Sequence, residues 1–356
     1  MSREGSKVTI DWFENLTGFC ELSYNDARQN LYVKGRYLHS QVNDKKYSIG
    51  NFQCLSLQSL RKDTAKLKEG AGASSCELII GDVRKFHENT SNQGAIFQVA
   101  SQFNCLEMVS PNFTPEDGVT CYQNDRTQGP ACAISAGAAT IYRNYFVPLG
   151  EEIGQTSDRQ INTLKPFTEA LAKNLDCEVA ELWSMKNGYV LLSEPVLSKI
   201  DQHLMKCNQA QLDEYRSLIQ VGMHWNVEVT SVSGDHNPLV SQAFCSALPI
   251  SYNQVNKAIW ARFAKLVLES VYESTILTAI LNRKKTGVNT VFLTLLGGGA
   301  FGNEEAWIIS AIQRALSLAK DADLRVKIVS YGQPSTALKK AFGNSRVNNG
   351  RCHTSA

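Results

Sequence analysis

The feature that most constrains the fold of this chain is a glycine-rich loop between an apolar run and an amphipathic segment. Residues 288–296 are apolar and β-branched, which is typical of a buried strand, and residues 305–320 have the spacing of a helix. Three consecutive glycines at 297–299 lie between them, and Phe301 follows. A second apolar run at 324–331 comes after the predicted helix. Strand, glycine loop, helix and strand in this order indicate an α/β domain with a largely parallel sheet.

Composition excludes several classes of protein. The 356 residues are 43% hydrophobic, enough for a large core, and 36 basic against 34 acidic residues give a net charge of +2. Without a basic block we predict no nucleic-acid partner, and without a long apolar run we predict no membrane span and no secretory signal. Ten scattered cysteines without a Cys-x-x-Cys pair predict reduced thiols, a cytoplasmic location and no metal site.

Shifts in composition divide the chain into three parts. Residues 1–75 mix short alternating runs with turn residues, which predicts an N-terminal β-rich or mixed extension. Residues 76–343 carry the α/β pattern, with a helical insertion at about 150–222. The polar residues 344–356 predict a flexible tail.

The first half of the α/β part supplies two strands, a long loop and a helix. Apolar runs at 77–83 and 94–101 predict buried strands. Residues 102–128 are polar and rich in turn formers, and loops of this length inside a compact domain tend to be functional. Small residues at 128–142 predict a helix that can lie close to a sheet or a ligand, and Pro130 suits its first turn.

The glycine loop has the chemistry of an anion site. In open α/β sheets, ligands bind beyond the carboxyl ends of the strands. Glycine lets bare backbone approach a ligand, and the following helix directs free N–H groups and a partial positive charge to the same place. We therefore predict that the loop binds a phosphate or diphosphate. The alternative is a tight turn whose glycines serve only positive φ angles or close packing.

Two common phosphate-binding classes fit the loop badly. Its glycines match the G-x-G-x-x-G dinucleotide pattern, but the next strand ends at residues 328–333 without the acid that holds ribose hydroxyls. No Gly-Lys-Ser or Gly-Lys-Thr closes the loop, which excludes a P-loop. The sequence therefore favours a different phosphate ligand.

Four segments, in order and spacing, resemble the macrodomain family of ADP-ribose-binding modules. They are the Gly-Asp-Val segment 79–83, the strand 96–101, the loop and helix 125–139, and the second phosphate loop 297–303. The last is similar to the Gly-x-Gly-Ala-Phe-Gly loop of poly(ADP-ribose) glycohydrolases. Residues 116–130 resemble a divergent macrodomain group that includes a Legionella effector acting on ADP-ribosylated ubiquitin arginine.

The resemblance implies a macrodomain-like three-layer α/β/α sandwich that binds ADP-ribose. It further implies a hydrolase that cleaves the N- or O-glycosidic bond of ADP-ribosylated protein without a cofactor, with ubiquitin arginine as one candidate target. Such an enzyme is cytoplasmic, or acts in a host cell if it is a secreted effector. Two departures limit the likeness: Gln98 and Ser101 replace the family's asparagines, and the Gln-Glu-Glu motif of the glycohydrolases is absent, so polymer cleavage by their mechanism is not expected.

Catalytic residues are expected in the long loop. Bond cleavage at the distal ribose passes through an oxocarbenium-like transition state, which carboxylates can stabilise while activating water. We predict that Asp117 and Asp125 face the distal ribose, one as general base and one as orienter, and that Asn104 hydrogen-bonds ribose hydroxyls. For Glu107 and Glu116 we expect the commoner fate of a solvated loop residue or helix cap.

The resemblance to macrodomains also implies which residues bind ADP-ribose. Asp82 is expected to accept from the adenine amine, Tyr331 to stack on adenine, and Phe301 to pack against the ribose–diphosphate. The predicted ADP-ribose-binding residues are Asp82, Ser101, Gly297, Gly298, Gly299, Ala300, Phe301, Gly302, Asn303 and Tyr331.

Three alternatives remain at this point. The chain could be a non-catalytic ADP-ribose reader with the same pocket. It could act on another ADP-ribose conjugate, such as O-acetyl-ADP-ribose. It could also be a scaffold whose extension and insertion recruit partners.

Overall fold

The computed structural model describes residues 11–67, 72–232, 237–343 and 345–346. The strands are β1 (Leu31–Lys34), β2 (Tyr37–Ser40), β3 (Lys46–Ser48), β4 (Asn51–Ser56), β5 (Ser75–Ile80), β6 (Ile96–Ala100), β7 (Pro148–Leu149), β8 (Glu152–Ile153), β9 (Ser184–Lys186), β10 (Tyr189–Leu191), β11 (Gln220–Glu228), β12 (Leu239–Cys245), β13 (Thr290–Leu293), β14 (Arg325–Ser330) and β15 (Ser345–Arg346). The helices are α1 (Trp12–Thr17), α2 (Tyr24–Asn30), α3 (Leu57–Thr64), α4 (Val83–Glu88), α5 (Gln128–Ser135), α6 (Gly137–Tyr145), α7 (Lys165–Asn174), α8 (Val179–Leu182), α9 (Glu194–Lys206), α10 (Gln209–Leu218), α11 (Ala261–Thr286), α12 (Glu305–Leu318) and α13 (Thr336–Phe342). Short 3-10 turns occupy Thr90–Asn92, Pro115–Asp117, Thr120–Asn124, Ile250–Tyr252 and Lys257–Trp260.

One large sheet organises the molecule. Its strand order is β15-β5-β14-β13-β6-β12-β11-β4. The five strands from β5 to β12 are mutually parallel, whereas β15, β11 and β4 pair antiparallel at the two edges. The predicted α/β class with a largely parallel sheet is therefore confirmed, and the carboxyl ends of five strands meet at one edge.

Helices cover the sheet on both faces, because consecutive strand residues point to opposite sides. On β6, Ile96 belongs to one core and Phe97 to the other, and Val291 and Phe292 repeat this alternation on β13. The first core is completed by α3 and α7 to α13, and the second by α4, α5 and α6. The structure thus confirms the three-layer α/β/α sandwich.

The N-terminal segment takes part in this architecture. Strand β4 extends the sheet by pairing with β11, and α3 packs with α11 in the first core. Helix α1 joins α6 in a third cluster, to which Phe13 and Leu16 belong together with Ile141 and Tyr145. The boundary at residue 75 stays a prediction, since the residues before it supply an edge of the same sheet.

Two predicted helices begin or end differently from expectation. The segment 128–142 forms α5 and α6 rather than one helix, because Ala136 adopts φ −117° and ψ 57°. The break is held by Thr230, whose Oγ1 accepts from the Gly137 N–H at 2.8 Å. The apolar spacing of residues 253–283 also predicts one long helix. That helix begins only at Ala261, after two 3-10 turns.

The insertion at 150–222 contains α7 to α10 and the hairpin β9–β10, and its last residues open β11. Its apolar side chains join the first core around α11. None of the helices within the described ranges is long and apolar enough to cross a membrane. The predicted tail 344–356 lies outside the described residues apart from β15.

Candidate functional site

A cleft runs along the carboxyl ends of the parallel strands. It consists of a larger cavity of about 730 Å³ and a smaller one of about 250 Å³. The two cavities adjoin, since Asp125, Thr127, Gln128, Thr294 and Leu295 line both. This is the position where open α/β sheets bind ligands.

The larger cavity contains both residues that were predicted to contact adenine. Asp82, two residues after the end of β5, and Tyr331, directly after β14, line it together with Trp12 of α1. The Asp82 carboxylate accepts from the Arg84 backbone N–H at 2.9 Å and pairs with the Arg84 guanidinium at 2.7 Å. These bonds lower the pKa of Asp82, so it is an ionised acceptor. The Tyr331 ring is 75% exposed, which leaves its face free for stacking.

The glycine loop forms one wall of the smaller cavity. Its lining includes Gly297, Gly299, Ala300 and Phe301, with Ser101 opposite at the end of β6. In the part of the chain that the structure describes, the backbone N–H groups of Gly299, Ala300 and Phe301 have no hydrogen-bond acceptor. Three successive free N–H groups beside a cavity form a suitable cradle for an anion.

Three predicted loop residues support the loop instead of lining a cavity. The N–H of Gly298 donates to the Leu295 carbonyl at 3.1 Å, and the N–H of Gly302 to the Gly299 carbonyl at 3.0 Å. The buried Asn303 side chain donates to the Leu248 carbonyl at 2.9 Å. Between Gly298 and Gly302, the N–H groups that stay available to the predicted phosphate or diphosphate are therefore those of residues 299–301.

Only one of the predicted catalytic residues lies in the cleft. Asp125 lines both cavities, and its Oδ1 accepts from the Thr127 N–H at 2.7 Å. Asp117 is exposed and lines neither cavity; its Oδ2 accepts from the Thr114 N–H at 2.8 Å and so caps a 3-10 turn. Buried Asn104 also lines neither, and its amide donates to Gln160 at 2.9 Å. Catalytic roles for Asp117 and Asn104 stay predictions.

The long loop that carries Asp125 is held in place by the N-terminal segment. One carboxylate oxygen of Glu21 accepts from the N–H groups of Val119 and Thr120 at 2.8 and 2.6 Å. The other oxygen accepts from the Tyr145 hydroxyl at 2.5 Å. Because hydrogen bonds to a charged acceptor are among the stronger ones, this contact orders the approach to Asp125.

Glu107 is not a solvated loop residue, contrary to the expectation from the sequence. It is 3% exposed and lines the smaller cavity, since its neighbours Leu106 and Met108 are apolar and draw the segment into the core. Neither of its carboxylate oxygens has a hydrogen-bond partner among the described residues. The Arg143 guanidinium lies 3.5 Å away. Burial raises the pKa of Glu107 to about 7, although Arg143 opposes the shift.

Three aromatic rings close one side of the smaller cavity. Tyr189 comes from the insertion, Tyr252 from the 3-10 turn after β12, and Phe301 from the glycine loop. Ring centroids are 5.0 Å apart for Tyr189 and Tyr252, and 5.5 Å apart for Tyr189 and Phe301. Edge and tilted contacts of this kind stabilise the wall. Phe301 therefore joins the loop to the insertion, a contact that its sequence position does not reveal.

Comparison with known proteins finds a distant likeness. No family model and no curated protein matches the chain. It is similar to the poly(ADP-ribose) glycohydrolase structure from Thermomonospora curvata, with a TM-score of 0.46 and 9% identity over 90% of this chain and 96% of that one. It is also similar to the Deinococcus radiodurans poly(ADP-ribose) glycohydrolase in complex with ADP-ribose, with a TM-score of 0.43 and 10% identity over 82% and 92% of the two chains.

Within the described ranges, no three His, Cys, Asp or Glu side chains cluster as a metal site.

Proposed function

We propose that this chain binds ADP-ribose in the cleft and hydrolyses the bond between its distal ribose and a protein side chain. The observation that carries the proposal is the order of groups along one continuous cleft. An ionised carboxylate and an exposed aromatic ring, Asp82 and Tyr331, lie in the larger cavity. The free N–H groups of residues 299–301 lie beside the smaller cavity. Adenine, diphosphate and distal ribose would occupy these places in turn.

Asp125 is the proposed general base. Its carboxylate lies where the two cavities join, on the loop that faces the glycine wall. A carboxylate there can take a proton from water and stabilise positive charge on the ribose ring. Asp117 would have to leave its cap on Thr114 to reach the cleft. We therefore assign water activation to Asp125, with Asp117 as the alternative base.

The proposed substrate is an ADP-ribosylated protein. The rings of Tyr189, Tyr252 and Phe301 at the smaller cavity suit a cationic acceptor, which supports arginine as the modified side chain. Ubiquitin as the protein, and the cytoplasm or a host cell as the location, are proposals that rest on sequence resemblance. The proposed reaction consumes water and requires neither a metal nor a cofactor.

Replacing Asp125 with asparagine tests the proposal. We expect the Asp125→Asn variant to lower kcat for ADP-ribose release by about 10²-fold, the usual contribution of a general base. ADP-ribose affinity should stay within about threefold of wild type, because the amide keeps the shape of the side chain. Turnover is measured on proteins ADP-ribosylated at arginine or at serine, and affinity by titration calorimetry.

Asp117→Asn is the matched control, since it removes a carboxylate of the same loop outside the cleft. We expect near wild-type kcat for this variant, and a loss confined to Asp117→Asn would move the base to that residue. Wild-type protein that binds ADP-ribose without turnover would make the chain a reader. Absence of ADP-ribose binding would refute both functions.

A further inference from the structure

We propose that Glu107 is the proton donor to the leaving group in this reaction. The inference rests on the proposed function and adds a second catalytic residue to it. Glu107 lines the smaller cavity, where the distal ribose would lie, together with Asp125. Its carboxyl group is buried, and neither oxygen is hydrogen-bonded to the described part of the chain. Buried polar groups are nearly always satisfied, so an unsatisfied carboxyl at a cavity indicates a partner supplied by a ligand.

Within the described ranges, Arg143 of α6 is the one cation that faces Glu107. Its hydrogen bonds go mainly to other groups. Its Nε donates to the Cys105 carbonyl at 3.1 Å and its Nη2 to Thr140 Oγ1 at 3.3 Å. The same Nη2 lies 3.5 Å from Glu107, too far for a good hydrogen bond. The guanidinium also stacks on Phe244, 3.7 Å from the ring centre. Arg143 therefore orients the carboxyl electrostatically without fully neutralising it.

The other groups around Glu107 are uncharged near neutral pH. The Tyr122 hydroxyl accepts from the Glu107 backbone N–H at 3.3 Å, and burial holds the pKa of Tyr122 well above its usual value. Burial also raises the pKa of the Cys132 thiol on α5. Behind Arg143, burial lowers the pKa of His224 on β11, so its ring is neutral. Asp125 is the other carboxylate that lines the smaller cavity within the described ranges.

Because their surroundings differ, Glu107 and Asp125 have different roles. Burial raises the pKa of Glu107 to about 7, so the carboxyl holds its proton below that pH and loses it above. Asp125 is half-buried and serves as the base. A buried carboxyl group that gives a proton, beside a more exposed carboxylate that takes one, is the arrangement that glycoside hydrolysis requires.

The step balances without an added reactant. The bond from the anomeric carbon to the side-chain nitrogen or oxygen breaks, and its electron pair goes to that leaving atom. Glu107 gives its proton to the leaving atom, while a water oxygen bonds to the anomeric carbon and its proton passes to Asp125. Proton exchange with solvent restores both residues.

Leaving-group dependence and pH dependence test the inference together. The substrates are an ADP-ribosylated protein and 4-nitrophenyl ADP-ribose, whose nitrophenolate departs without protonation. For Glu107→Gln we expect kcat on the protein to fall about 10²-fold, and kcat on the nitrophenyl substrate to stay within about threefold of wild type. Wild-type kcat on the protein should decline above pH 7, because Glu107 loses its proton there, and this decline should be absent with the nitrophenyl substrate.

Glu116→Gln is the matched control, because Glu116 lies on the same loop and accepts from the Ser157 N–H at 2.8 Å outside both cavities. It should leave kcat and the pH profile unchanged. Equal losses on the two substrates, or a protein kcat within about threefold of wild type, would overturn the role of Glu107 while leaving the hydrolase intact. If Glu107→Gln does not fold, the two wild-type pH profiles decide: a shared decline overturns the inference. Wild-type protein without ADP-ribose binding or turnover removes the proposed function and this inference with it.

Discussion

Replacing Gly297 with valine is expected to weaken ADP-ribose binding by about 10³-fold, equivalent to two charge-assisted hydrogen bonds. Gly297 has φ +73°, and a Cβ there would lie 2.5 Å from the Ala247 Cβ and 2.6 Å from the Asn303 amide nitrogen. The backbone of the loop must move to relieve both contacts. The free N–H groups of residues 299–301 then no longer converge on the diphosphate. Titration calorimetry with ADP-ribose measures the change.

Gly150→Val is the control for backbone strain. Gly150 has φ +66°, yet no atom lies within 4 Å of a Cβ at that position, and the residue lies outside both cavities. This variant should lose some stability and keep its ADP-ribose affinity. A Gly297→Val protein that binds ADP-ribose within tenfold of wild type would show that the loop is a tight turn whose glycines serve only positive φ angles or close packing.

Arg143→Met is expected to lower the free energy of unfolding by about 3–5 kcal/mol above pH 7, where Glu107 is ionised, the usual effect of removing one partner of a buried ion pair. Arg143 is fully buried, and its guanidinium also bonds to the Cys105 carbonyl. Methionine keeps the apolar contact with Phe244 but leaves Glu107 without a counter-charge. Urea denaturation at several pH values measures the loss.

The pH dependence of this loss has a definite sign. The pKa of Glu107 is already raised in the folded state, and removing Arg143 raises it further. A carboxyl with a raised folded pKa gives its full stability below the unfolded pKa, and that stability is lost as pH rises through the folded pKa. The deficit of Arg143→Met should therefore grow as pH rises above about 7, where Glu107 ionises in the wild type but keeps its proton in the variant. The double variant Glu107→Gln/Arg143→Met should recover part of it, and a deficit that is equal at all pH values would contradict the charge coupling.

Much of the fold was predictable because its signals are local. The apolar periods of 94–101 and 288–296 identified β6 and β13, and the rule that ligands bind at strand ends placed Asp82, Tyr331 and the glycine loop at one edge. The site residues that were not predicted belong to segments that are distant in the sequence from the rest of the site. Trp12 reaches the larger cavity from the N-terminal helix, and Tyr189 reaches the smaller one from the insertion.

Two carboxylates illustrate the limits of a sequence pattern. Glu107 and Asp117 belong to the same polar loop, and its composition does not separate them. Burial of Glu107 depends on Arg143 and Tyr122, which pack over it from α6 and a 3-10 turn. The cap formed by Asp117 can be recognised in the sequence, since Thr114 and Asp117 have the three-residue spacing of a capping box.

The most direct test of the account is a crystal structure of the protein with ADP-ribose. We predict adenine between Asp82 and Tyr331, the diphosphate within hydrogen-bonding distance of the N–H groups of residues 299–301, and the distal ribose beside Asp125 and Glu107. A diphosphate bound away from the glycine loop, or a distal ribose outside the smaller cavity, would contradict it.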